Sequence, residues 1–236
     1  MYTVLNNKEH NQLRVFTDHG AHFGEAVNRV PVLADELKSL VLDFPVCLFK
    51  DPKNGKFSMH ALLGIDSQEN LFLQGDSWTS QYIPAHFRRQ PFMAGIKGEG
   101  ESPTPENLVL TIDMESPRVS SNDGVALFEV DGSPSSYLRQ TSQMVFSLVP
   151  AMNRNEAFIQ ALLANDLLDA VQLTLTLKSG ENHQLDGMYT VNEEKLSQLN
   201  AEQVQWFHRQ GYLQACHYLI AAVGNIQKLV NLKNNR

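Results

Sequence analysis

PVCLFKDPKNGKFSMHALLGI, residues 45–65, holds two apolar runs around a short polar turn. Pro45–Phe49 reads as a strand, DPKNGK as the turn, and Phe57–Ile65 as the return strand. Asn54-Gly55 sits at the tip, where a tight hairpin needs residues that tolerate left-handed backbone. An antiparallel hairpin in this position makes a mainly antiparallel sheet the organising element.

Working outward, Leu33, Leu37, Leu40 and Val41 fall at helical spacing between Val32 and Asp43, with Pro31 before them and Pro45 ending the helix. Residues 1–30 are polar and mixed, with Gly20 and Gly24 interrupting any helix, and are expected to form an irregular arm over the domain. Downstream, LFLQ (71–74) reads as a short strand. YIPAHFRRQPF (82–92) reads as one helical turn between Pro84 and Pro91, and residues 95–107 as an exposed loop. LVLTIDM (108–114) and ALFEV (126–130) are two more strands.

Ser133-Pro134 predicts a helix start with proline at the first position. Leu138, Val145, Leu148 and Met152 form an amphipathic face, which resumes through Phe158, Leu162 and Leu163. Pro150 lies inside this pattern, where it removes a backbone donor and should kink or split the helix. VQLTLTLKSGENHQLDGMYTV (171–191) is a second hairpin with Gly180 in its turn. Asn192 can cap the helix after it. Two further helices, separated near Gly211, finish the chain, the last buried along Leu219, Val223, Ile226 and Val230. The fold class is therefore α+β: an antiparallel sheet with helices packed on it, a long kinked helix in the second half and a helical C-terminus. With no repeat and no low-complexity linker, residues 1–236 read as a single domain.

The net charge of −7 argues against nucleic acid as a partner. MYTVLNNKEHNQLRVF lacks a basic segment followed by an apolar one, and no apolar run approaches the ~20 residues of a membrane span. A cytoplasmic protein without membrane insertion is expected. Cys47 and Cys216 stand in apolar surroundings and read as reduced core residues.

RVPVLADEL with PVCLF, DSWTSQYIPAHFRRQPF, ALFEVDGSPSSYL and the C-terminal run from Leu185 to Leu229 together resemble the SapC-like family of soluble bacterial proteins. The resemblance spans nearly the whole chain in the same order, and departs at Pro150, where relatives have an uninterrupted helix. It implies an accessory or interaction role beside surface-protein or receptor-linked modification systems, and it brings no reaction and no catalytic residues. The membrane permease that shares the name does not fit a chain without a spanning segment.

Three kinds of function compete: an accessory protein with a protein partner, a metal-dependent enzyme of oxygenase type, and a module binding a small ligand or peptide. Asp18, His19, His22 and Glu25 are donors suited to zinc or iron, but the spacing is not that of a metal site and a solvated polar loop is the simpler reading. His60 reads as a histidine on a sheet face. Cys216 and His217 are neighbours on a helix whose side chains diverge, so they do not form a nucleophile–base pair. No phosphate loop and no nucleophile elbow is present. No cofactor and no metal site is thereby indicated. The segment from Trp78 to Phe92 stands out. Trp78, Tyr82, Phe87, Arg88 and Arg89 combine rigid aromatics with planar donors, the residue types that anchor ligands and partners, and they are the candidate binding residues. Arg88 and Arg89 diverge on a helical turn, so one of them at most should face a given site, and Arg88 is the choice.

Overall fold

The two strands that flank Asn54-Gly55, Val46–Lys50 and Phe57–Leu62, pair antiparallel in the computed structural model, which describes residues 1–98 and 102–236. Gly55 takes the left-handed backbone at φ 71°, and the Asn54 side chain accepts from the Lys56 amide at 2.8 Å. The second hairpin, Leu168–Thr176 and Asn182–Val191, adds its second strand to Val46–Lys50, with a bulge between Val171 and Leu173. The short strand Arg29–Pro31 pairs with Phe57–Leu62 and completes five strands, all antiparallel. Helix Tyr212–Val223 packs on this sheet, and Cys47, Leu48, Phe158, Phe207, Cys216 and Leu219 lie among the fully enclosed residues of the larger apolar cluster.

A smaller cluster, built on Val15, Phe92, Ile112, Leu127, Leu138 and Val145, lies beside it. Its sheet runs Tyr2–Val4, Leu108–Asp113, Phe92–Ile96, while Arg14–Val15 pairs with both Val119–Ser120 and Val125–Ala126. Gly124 closes that last turn at φ +98°, where a Cβ would come within 2.5 Å of the Val15 carbonyl oxygen. Residues 1–30, expected as an irregular arm, are mostly irregular but also pair into the sheets. They contribute strands to three sheets, each too short to show a period in the sequence.

Helix Ser136–Ala164 joins the two clusters: Leu138 and Val145 belong to the smaller, Phe158, Ile159 and Leu162 to the larger. It starts one residue pair later than expected, with Ser135 as the cap accepting from the Leu138 amide at 3.2 Å. Pro134 instead bridges to Phe128. Pro150 does not split the helix. It is exposed, so the carbonyl it leaves unpaired one turn earlier lies on the solvent side, where water can serve it.

Three more expectations need correction. The helix over 32–43 is a 3-10 turn, Ala34–Glu36, followed by a single α-turn, Leu37–Leu40. The strand expected over 126–130 is reduced to Val125–Ala126. The C-terminus has one helix more than read: Gly224-Asn225 interrupts the last one, giving Tyr212–Val223 and Ile226–Asn234. The loop expected over 95–107 begins after the strand ending at Ile96, and its residues 99–101 lie outside the described residues.

Candidate functional site

The helical turn Ala85–Arg88 is held by a buried carboxylate that the sequence reading passed over. Glu36 Oε1 accepts from the Ala85 amide at 2.8 Å and from the Tyr82 hydroxyl at 2.9 Å, while Oε2 accepts from the Leu33 amide at 2.9 Å. Three donors compensate the desolvation of the charge. Arg88 in turn donates to the Tyr82 hydroxyl at 3.0 Å and lies over the Tyr82 ring at 4.8 Å. Burial, and then the Glu36 charge, push the Tyr82 phenol well above its ordinary range, so it stays a neutral donor.

The other candidate residues split between packing and lining. Phe87 is buried in the larger cluster, and the Trp78 ring sits 5.3 Å from it. The Trp78 indole donates to Glu25 Oε2 at 2.8 Å. Arg89 donates to the Phe92 carbonyl at 3.0 Å. Arg88 and Arg89 do diverge, and each borders a different cavity.

The cavity beside Arg89 has a volume of about 310 Å³. Its walls are Val32 and Leu33, Ala94 and Met93 from strand Phe92–Ile96, and Val145, Leu148, Val149 and Met152 from the long helix. The expected face Leu138–Met152 is therefore only partly core: Leu138 and Val145 are enclosed, and Met152 is exposed at the mouth. Polar groups reach it from Glu36, His86 and Arg89. Burial, aided by the nearby Arg89 charge, lowers the His86 imidazole to a pKa of about 4, leaving it neutral at pH 7.

On the opposite side of the turn, Arg88 and Phe87 border a polar cavity of about 140 Å³, shared with His19, Gln90, Arg118 and Tyr137. Its Arg118 belongs to an ion pair that local pattern does not reveal. Glu25 is 0% exposed and Arg118 3%, and the Arg118 Nη2 donates to Glu25 Oε1 at 2.6 Å. The same carboxylate meets His19 Nδ1 at 2.8 Å and accepts from the Gly20 amide at 3.1 Å. The loop of Asp18, His19, His22 and Glu25 is not uniformly solvated: His22 and Asp18 are exposed, and Glu25 is enclosed because Arg118 neutralises it. Among the described residues, no group of three His, Cys, Asp or Glu side chains is placed to hold a metal ion.

His60 lies on the sheet as expected, its Nε2 3.0 Å from the Ser58 hydroxyl. Cys47 and Cys216 are free and buried, and burial pushes both thiols up to about 12. That removes them as nucleophiles at neutral pH. No described helix is long and apolar enough to cross a membrane.

Neither the curated proteins nor the solved structures contain a match to this chain. The family model described as SapC matches residues 5–229, so nearly all of both apolar clusters and both cavities fall within it, and the chain belongs to the SapC family.

Proposed function

We propose that the chain is a cytoplasmic accessory module that binds a small amphipathic molecule, an apolar body with an anionic end, in the cavity beside Arg89. The cavity carries this reading. Its volume of about 310 Å³ and largely aliphatic walls suit an apolar body, and such sites characteristically combine apolar walls with a few placed polar groups. Arg89 supplies the polar end: one nitrogen is engaged with the Phe92 carbonyl, and a guanidinium has five N–H donors. Glu36 is already satisfied by three donors and is not free to repel an anion at full strength. The free, buried thiols suit a reducing compartment, and an accessory role matches what membership of the family implies.

Decanoate and decanol, titrated calorimetrically, test this reading. Decanoate is expected to saturate one site and to bind better than decanol. Arg89→Gln should weaken decanoate by about tenfold or more, the loss of one charge-assisted hydrogen bond, and should leave decanol unchanged. Val149→Trp, which fills the cavity, should abolish both. Equal decanoate binding by the wild type and the Val149→Trp variant would reject the proposal.

A further inference from the structure

The geometry points to a second site, independent of the apolar cavity: the polar cavity lined by His19, Arg88, Gln90, Arg118 and Tyr137 binds a small oxyanion, a carboxylate or a phosphate group. Two guanidinium groups border this space; the Glu25 carboxylate lies against Arg118, and the Asp18 charge is close enough to act on it as well. Arg118 donates from Nη1 to the carbonyls of Phe16 at 3.2 Å and Asp18 at 2.6 Å, and from Nη2 to Glu25 at 2.6 Å. Its Nε is buried and has no hydrogen-bond partner. A buried donor on a charged group that is left unpaired is costly, and native structures rarely tolerate one without a reason. The Nε is closed to water-sized contact, so an oxygen acceptor in the cavity that Arg118 lines supplies the missing partner once the guanidinium turns toward that space.

The remaining lining is suited to the same ligand. Arg88 is exposed at the mouth, and its bond to Tyr82 uses one of its donors. Burial pushes the Tyr137 phenol above its ordinary range, so the hydroxyl stays protonated at neutral pH. At about 140 Å³ the cavity has room for several waters or for one small oxyanion, and not for an extended ligand.

Inorganic phosphate and acetate are the probes, titrated separately at constant ionic strength by calorimetry and by the shift in melting temperature. Saturable binding of either one with unit stoichiometry supports the site, and which one binds tighter assigns phosphate or carboxylate as its chemistry. Arg118→Gln breaks a buried pair and risks unfolding, so the informative variants are Arg88→Gln and Tyr137→Phe. Arg88→Gln should weaken the anion by about tenfold, as expected for a charge-assisted bond, with Tyr137→Phe losing less. Val149→Trp, which fills the other cavity, should bind the anion as the wild type does. That separates failure here from failure of the amphipathic-ligand reading. Absence of saturation by both anions, or undiminished binding in Arg88→Gln, would overturn the assignment.

Discussion

Glu25 and Arg118 stand 93 positions apart in sequence and meet as a buried charge pair. Truncating Glu25 to alanine leaves a buried guanidinium without its counter-charge and frees the Trp78 indole and the Gly20 amide. Breaking such a pair from one side costs about 3–5 kcal/mol. Glu25→Ala is therefore expected to lower the unfolding free energy by that amount in urea titrations, and a loss below about 1 kcal/mol would show that Arg118 finds other partners. This pair also marks where sequence reading stops. Asp18, His19 and Glu25 were visible as polar residues near one another, but the partner that buries Glu25 carries no local signal. Glu36 was no more legible: its bond to the Leu33 amide has the spacing of a capping box, but leucine stands where that pattern needs Ser or Thr.

At the level of elements, the two hairpins were legible because their turns are local chemistry. Gly55 and Gly180 supply left-handed backbone within a few residues of the strands they join. The strands of two or three residues among the first thirty were not legible, since period-2 alternation cannot be seen in so short a run. Tyr2–Val4 and Arg29–Pro31 form because Leu108–Asp113 and Phe57–Leu62 offer them an edge, and Arg14–Val15 because Val119–Ser120 and Val125–Ala126 flank it. The long helix is a middle case, with its extent readable and its continuity through Pro150 not. Proline in a helix interior is disfavoured by about 3 kcal/mol relative to alanine. Because Pro150 is exposed, Pro150→Ala should restore a backbone hydrogen bond without disturbing the core, and raise stability by about 1–3 kcal/mol in chemical denaturation. A loss of stability would mean that the packing of Val149 and Met152 depends on the local geometry proline imposes.

For the molecule as a whole, His60 and His86 tie stability to pH. Burial is the main cause of their low values, about 4 for each, with Arg29 and then His86 adding to it at His60, and Arg89 at His86. In the unfolded chain a histidine titrates near 6.5. Between those values the unfolded state binds more protons, so the contribution is complete above about pH 6.5 and is lost as pH falls toward about 4. The slope of unfolding free energy against pH in that window should be flatter in a His60→Gln/His86→Gln double variant, and an unchanged slope would place the acid sensitivity elsewhere. The two cysteines carry a different consequence. Both sit in the larger apolar cluster, and none sits in the smaller. A thiol this deep reacts with an alkylating reagent only during the moments when its surroundings part. The labelling rate of the native protein therefore counts openings around the five-stranded sheet and is blind to fraying around Val15 and Ile112. Set against amide exchange in Leu108–Asp113, that rate reports whether the long helix makes its two ends open as one body or lets them breathe apart.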